Sequence, residues 1–386
     1  MILTPSAVVL AADSTVTIEN KKTYAGVNKL FKLSNDPPMG IMTYNNAEFL
    51  SIPIETIIKE FAKRARDLNL FTLDDIVSEF KSFQEGIVRD SLNVSSFSQL
   101  LETYFEFLNG ELKFISIDEL QKFIVEEMID FNSDFLEKDF ESIKTKLEDF
   151  DYLFEEFIPD CYESDKKENL KEDLKNFFIF SFFFESFIGI VIAGFEENNF
   201  FPSYVHFKVT DLYDGLFLLN VIEEDVISDN SVIIKPFAQD DVINTFLKGF
   251  DEYVEEELLF YFSGFFNGYY LFLMDTINES NLSDKDKNEI LMEMEKFEDS
   301  NKNINELFFG FTNEVKREYE NSLVEYISFL PYGDLCDLAE ALINITSIKR
   351  KIQDDLETVG GPIDVVVITK GDGFIWSKHN GFLKGD

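Results

Sequence analysis

Short apolar runs near the amino terminus predict a small group of β-strands. Residues 6–12 (SAVVLAA) form one apolar run, and residues 15–33 alternate between polar and apolar positions on either side of a turn at Glu19-Asn20. The run GIMTY at 40–44 follows the turn formers Asp36-Pro37-Pro38. Such runs favour strands, and clusters of Pro, Asn and Asp between them favour turns. We therefore predict a β-rich unit at this end of the chain.

Helical periodicity begins at Pro53 and recurs in two long acidic blocks. Apolar residues three and four positions apart mark residues 53–66 and run on through 67–180 and 250–330, with charged residues on the opposite faces. Strand patterns return at 188–220 and at 363–371 (IDVVVITKG). This order of elements predicts an α+β fold in which two sheets lie between helical layers.

Two apolar stretches approach the length of a membrane span. Phe177–Phe195 carries Glu185 and Ser186 at its middle, and the stretch that starts at Leu258 is interrupted by Ser, Gly and Asn. We interpret both as buried elements, and a membrane anchor stays as an alternative. The first residues, MILTPSAVVLAADS, lack the basic start of a secretory signal, so a cytoplasmic location and no membrane partner are predicted.

Composition and motif content exclude several functions. Asp and Glu number 74 against 34 Lys and Arg, a net charge of -40, which argues against a nucleic-acid partner and an anionic membrane surface. Cys161 and Cys336 are too few for a disulfide framework or a Cys-rich zinc site. No GxGxxG, Walker or GxSxG motif occurs, and His206 and His379 lie far apart in the sequence without a cluster of partners. We expect no cofactor, no metal and no His-centred triad.

One constellation of residues does carry chemical information. The strand VVLAADS ends at Asp13, Lys29 follows 16 residues later in NKLFKL, and GIMTYNNAEF supplies a strand and a turn at Asn45-Asn46. This arrangement resembles the proteasome family of N-terminal-nucleophile (Ntn) hydrolases. The later segments IVIAGFEENNFFPSYVHFKV, KPFAQDDVINTFLKG and ETVGGPIDVVVITKGDGF are similar to that family in order.

The resemblance covers a discontinuous core and implies a fold. The core consists of residues 1–60, 180–250 and 335–386, and two acidic helical insertions occupy 61–179 and 251–334. The family's fold is a four-layer αββα sandwich, which is the expectation for this chain.

The resemblance also implies a threonine-type peptidase or amide hydrolase acting on a peptide or protein substrate. A chain-terminal Thr would attack the carbonyl while its own α-amine accepts the proton. Lys29 would lower the pKa of the hydroxyl, Asp13 would hold Lys29, and the Asn45 backbone N–H would stabilise the oxyanion. The alternative interpretation is that Asp13 and Lys29 are a strand-end cap and an ordinary surface salt bridge.

The departures from the family pattern concern the nucleophile and its supports. The family spacing places the nucleophile four residues upstream of Met1, and Thr4 is no substitute because it lies within the first predicted strand and precedes Pro5. Either the true start lies upstream and supplies Thr, or the protein is a non-catalytic, proteasome-like interaction protein. A homo-oligomer is left open. Supporting family positions are also altered, at Val359, Leu356 (with Asp355 one residue away) and Gln239 or Ala238.

Overall fold

Two antiparallel sheets of five strands each form the centre of the molecule, so the chain is a mixed α and β protein. Helices lie outside both sheets. The computed structural model describes residues 1–18, 22–24, 26–50, 52–68, 70–90, 104, 147–158, 164–185, 187–212, 216–227, 231–237, 240–298, 301–352 and 360–379.

The strands in chain order are β1 (Ile2–Thr4), β2 (Ala7–Asp13), β3 (Val16–Ile18), β4 (Lys22–Tyr24), β5 (Leu30–Asn35), β6 (Pro38–Asn45), β7 (Glu48–Phe49), β8 (Ile52–Pro53), β9 (Ile188–Gly194), β10 (Ser203–Leu212), β11 (Leu216–Val226), β12 (Ile233–Ile234), β13 (Ile363–Thr369) and β14 (Gly373–Lys378). The helices that span several described residues are α1 (Ile54–Leu68), α2 (Leu73–Asp90), α3 (Asp151–Phe157), α4 (Ser164–Glu185), α5 (Asp241–Lys248), α6 (Glu252–Glu279), α7 (Asp284–Glu298), α8 (Asn301–Ile327) and α9 (Tyr332–Ile352).

The first sheet has the order β12-β1-β2-β13-β14, and the second has the order β11-β10-β9-β6-β5. In the first sheet, β1 and β2 form a hairpin in which Thr4 stands opposite Ala7. The predicted single strand at 6–12 is therefore the second arm of a hairpin, with Pro5 and Ser6 in its turn. The predicted hairpin within 15–33 is confirmed by the pairing of β3 with β4.

The two sheets pack face to face through an apolar layer. Leu10 and Ile368 of the first sheet meet Met42, Val191 and Ala193 of the second sheet there, all buried. Burial of such side chains supplies about 1.5–3 kcal/mol each and is the main favourable contribution to folding. The packing fixes the ends of β2 and β5 relative to each other, which positions the candidate site.

Helices cover the outer faces of both sheets. Ile58 and Phe61 of α1 and Phe80 of α2 pack on the second sheet beside Phe207. On the first sheet, the apolar residues of α8 and α9 that meet β2 and β13 include Ile327, Leu335 and Ala339. Helices therefore lie on the outer side of each sheet.

The structure shows where the predicted segment boundaries fall. The boundary at 60/61 lies inside α1, and α2 continues the same helical layer as far as Phe80, which is fully buried. The boundary at 179/180 lies inside α4. Composition changes gradually along these amphipathic helices, so it does not mark the point at which packing on the sheet stops.

The apolar stretch Phe177–Phe195 is not one element. It begins in α4, leaves that helix after Glu185 and continues as β9, the central strand of the second sheet. Every residue of β9 is buried. Among the described residues, no helix has both the length and the apolar character that a membrane crossing requires.

Candidate functional site

Lys29 and Asp13 join the two sheets at one end of the apolar layer between them. Asp13 is the last residue of β2, and Lys29 directly precedes β5. Lys29 Nζ lies 2.8 Å from Asp13 Oδ1, and the two side chains are only 16% and 12% exposed. The pair that the sequence predicted is thus formed, and it is mostly shielded from water, unlike an ordinary surface salt bridge.

The second carboxylate oxygen of Asp13 is held by main-chain donors. Thr15 N donates to Asp13 Oδ2 at 3.2 Å, and Gly360 N donates to the same oxygen at 3.0 Å. The Thr15 hydroxyl donates in turn to the Gly360 carbonyl at 2.5 Å. Sequence reasoning missed Thr15 and Gly360. The signal for Thr15 was the Asp-Ser-Thr order at a strand end, since an Asp side chain commonly bonds to the backbone two residues on.

Asn45 ends β6 at the same end of the second sheet as Lys29. Thr43, two residues before Asn45, donates its N–H to the Lys29 carbonyl at 2.9 Å. Asn45 has φ of 68°, in the left-handed region that Asn tolerates better than most residues with a Cβ. Its side-chain Nδ2 donates to the Phe187 carbonyl at 2.9 Å. The role of its backbone N–H as an oxyanion donor stays a prediction.

A buried polar pair that the sequence analysis did not find lies beside Asn45. Tyr44 Oη and His206 Nε2 are 2.7 Å apart, and His206 is 6% exposed. Sequence analysis gave His206 no cluster of partners, and it did not identify Tyr44 as a neighbour: the two residues are 162 positions apart in sequence, so no local pattern links them. The glycine at 189 makes room for this pair, because a Cβ there would overlap the Tyr44 ring.

Burial determines the protonation state of this pair. Desolvation lowers the pKa of His206 to about 4, with Lys208 and Lys235 as further causes, so the imidazole is neutral near pH 7. Desolvation also raises the pKa of the Tyr44 hydroxyl well above its ordinary value. Both groups are neutral, and they can exchange a hydrogen bond but carry no charge.

His379 also has a carboxylate neighbour, which sequence analysis did not identify. Its Nδ1 lies 3.4 Å from Oδ1 of Asp364, and its ring stacks on Trp376 with centroids 4.0 Å apart. Asp364 stands opposite Ala12 in the sheet. Strand pairing explains the contact. Because β13 and β14 run antiparallel, the start of β13, which contains Asp364, lies beside the end of β14, which His379 follows.

The remaining sequence-based predictions concern hydroxyls, thiols and metals. Thr4 bonds to Ala7 at the hairpin turn. Ala7 and Asp13 are the two ends of β2 and are six residues apart, so the Thr4 hydroxyl is about 20 Å from Asp13 at ~3.3 Å per residue of strand.

Cys336 is buried and free, and Cys161 lies outside the described residues. Within the described ranges, no group of three or more His, Cys, Asp or Glu side chains could hold a metal ion. The predicted departures at Val359, Leu356, Asp355, Gln239 and Ala238 also lie outside the described residues.

Comparison with known proteins does not identify a family. The chain matches no protein-family model, and no curated protein is similar to it in sequence. The interpretation of the site therefore depends on its own geometry and on the resemblance seen in the sequence.

Proposed function

We propose that this chain is a proteasome-like Ntn amide or peptide hydrolase with a four-layer αββα core. The order of layers, helices outside two antiparallel sheets, supports this proposal. The observation that carries it is the shielded Lys29–Asp13 pair, which places a cation at the end of the layer between the sheets. A cation there lowers the pKa of a neighbouring hydroxyl by favouring its ionised form.

The register of β1 and β2 indicates where a nucleophile would stand. Ile2 pairs with Val9, Leu3 with Val8 and Thr4 with Ala7, so the numbers of opposite residues add to eleven. A residue four positions before Met1 carries the number −3 and, if the strand continued in this register, would stand opposite Ser14, directly beside Asp13. This is the position at which the family's spacing places the attacking Thr.

The edge of β2 is suited to such an extension. Its residues are buried from Ala7 to Leu10 and only half-buried from Ala11 to Asp13, where the β1 ladder has stopped. Ser14 Oγ is buried and has no hydrogen-bond partner among the described residues. Additional residues before Met1 would complete the ladder along β2 and would bring polar groups close to Ser14.

The proposed reaction uses the upstream residue as nucleophile. Its hydroxyl oxygen attacks the substrate carbonyl carbon while its own α-amine takes the proton, and the oxyanion forms near the Asn45 backbone. The C–N bond then breaks, the amine product leaves with that proton, and an ester remains on the enzyme. Water then hydrolyses the ester, which releases the carboxylic acid product and regenerates the hydroxyl. The Lys29 side chain, held by Asp13, stabilises the developing negative charge.

The test is the amino-terminal residue of the mature protein together with turnover of fluorogenic peptides. The gene is expressed with its upstream DNA, and intact mass and amino-terminal sequencing identify the first residue. We expect Thr, Ser or Cys four residues before Met1, and we expect Lys29→Met to lower turnover by at least about 100-fold with an unchanged circular-dichroism spectrum. Lys32→Met is the matched control, since Lys32 is an exposed lysine on β5.

The alternative proposal is a non-catalytic, proteasome-like interaction protein. It is favoured by one observation: the hydroxyl of Thr4, the Thr nearest the start of the chain, is engaged at the β1–β2 turn, far from Lys29. A mature chain that starts at Met1, or a wild-type protein without peptide turnover, would overturn the hydrolase proposal and favour this alternative. Full turnover by the Lys29→Met variant would instead remove Lys29 from the proposed mechanism.

A further inference from the structure

The middle of α6 is apolar and exposed. Residues 258–274 contain no charged side chain in a protein whose net charge is -40. Of the whole helix, Glu255 near its amino end is the buried residue. An apolar helix with so little burial has either a partner or an aggregation liability, because soluble monomers rarely expose contiguous apolar patches of this size. The exposed residues on one side define the aromatic face of α6: Phe260, Tyr261, Phe265, Tyr269, Leu271 and Phe272 around Gly264 and Gly268.

These residues lie on one side of the helix. At about 100° per residue, they fall within an arc of roughly 180°; both glycines lie inside this arc, and Gly268 is near its centre. Each of the six large side chains is between 54% and 73% exposed. With ~200 Å² for a large side chain, the face offers roughly 800 Å², which is the area that one partner contributes to a standard stable interface.

The glycines give this face its shape. A Cβ added at Gly264 or at Gly268 would meet nothing within 4 Å. The two residues are four positions apart and therefore form a shallow groove along the helix, flanked by aromatic rings. Such a groove lets the backbone of a second helix approach closely, as in membrane helices with small residues at this spacing.

The amino end of α6 is fixed, so the face has a defined orientation. Asp251 caps the helix by accepting a hydrogen bond from Val254 N. Glu255 forms a buried ion pair with Lys316 of α8. Beyond that point the Phe262 and Phe308 rings pack at 5.7 Å on the α8 side. The aromatic face is thus presented by an anchored helix.

We propose that the aromatic face of α6 binds the same face of a second copy of this chain, forming a two-fold symmetric dimer. An uncharged face offers no charge complementarity to a basic or acidic partner, whereas its small centre and bulky flanks are complementary to themselves. Like charges elsewhere on the two copies repel, and salt screens that repulsion. The dimer should therefore become tighter as ionic strength rises.

The test measures the mass of the full-length protein in solution. Sedimentation velocity and light scattering are run across a concentration series at low and high salt. We expect a dimer that tightens with added salt. The Gly264→Leu and Gly268→Leu variants should weaken it by about tenfold or more, because leucine fills the groove at the centre of the contact. A Cβ at either position meets nothing within 4 Å, and leucine favours a helix more than glycine does, so the fold should be retained.

Gly86→Leu is the matched control. Gly86 is an exposed helical glycine of α2, with nothing within 4 Å of an added Cβ, and its substitution should leave the dimer unchanged. A monomer at all concentrations would overturn the proposal, and so would a dimer indifferent to both glycine substitutions. Flotation of the wild-type protein with phosphatidylcholine vesicles, lost in the glycine variants, would assign the face to a lipid surface and would also overturn it.

Discussion

Replacement of Asp13 by alanine should destabilise the fold more than replacement of Lys29 by methionine. The reason is the unequal number of partners in the pair. Asp13 accepts hydrogen bonds from Lys29 Nζ, Thr15 N and Gly360 N. Lys29 Nζ has Asp13 as its one side-chain partner among the described residues. The Asp13→Ala variant therefore leaves three donors without their acceptor, and the Lys29→Met variant leaves a carboxylate that keeps two of its three donors.

The magnitude follows from the exposure of the two side chains, 16% for Lys29 and 12% for Asp13. Removing one member of a fully buried pair costs about 3–5 kcal/mol, and partial exposure places Asp13→Ala near 3 kcal/mol. For Lys29→Met we expect about 1 kcal/mol, because methionine fills much of the aliphatic volume and the carboxylate stays bonded. The difference in unfolding free energy should be about 2 kcal/mol.

Urea unfolding followed by circular dichroism measures this difference. With a slope of about 3 kcal/mol per molar urea, the two midpoints should be separated by ~0.7 M. Lys32→Met, an exposed lysine on the same strand, should unfold like the wild type. Equal destabilisation by Asp13→Ala and Lys29→Met would refute the reasoning, because it would show that the main role of Lys29 is to stabilise the fold.

Two further predictions test the buried histidine and the helical layer. His206 has a folded-state pKa of about 4, below the ordinary 6.5, so its stabilising contribution is complete above pH ~6.5 and falls by about 3 kcal/mol as the pH drops to ~4. A His206→Gln variant should show a flatter dependence of urea midpoint on pH than wild type over that interval, and an unchanged slope would contradict the assignment. Phe80→Ala should cost about 3–5 kcal/mol, because the ring is fully buried 4.8 Å from Phe61 and 5.4 Å from Phe207. Phe200→Ala, at a ring that is 83% exposed, should cost almost nothing, and a similar loss in both variants would mean that α2 is not part of the core.

Local patterns in the sequence predicted the strands and the ion pair well. The apolar run ending at Asp13 is β2, GIMTY lies within β6, and the Asp13–Lys29 pair forms as expected. These features depend on residues at most 16 positions apart, so periodicity and turn signals suffice to find them. The β1–β2 hairpin was missed because Pro5-Ser6 interrupts only briefly a run of apolar residues.

Local sequence patterns could not predict the long-range polar contacts. Gly360 N reaches Asp13 across 347 positions, and Tyr44 reaches His206 across 162. Each contact exists because two distant strands lie side by side in a sheet, and that adjacency is a property of the topology. The exposure of α6 was missed for the same reason. The apolar stretch that starts at Leu258 was predicted to be buried, but sequence alone does not show whether another element packs on a helix face.

The net charge of the chain favours binding of a cationic peptide substrate and opposes association with a second copy. At -40, the molecule attracts cationic peptides from a distance and repels a second copy of itself. The aromatic face of α6 avoids part of that repulsion because residues 258–274 carry no charge. The Lys29 ammonium is shielded and neutralised locally by Asp13, so it acts only over a short range. Association through α6 also involves no residue of the Lys29–Asp13 pair, and loss of the dimer would therefore leave the evidence for the hydrolase site unchanged.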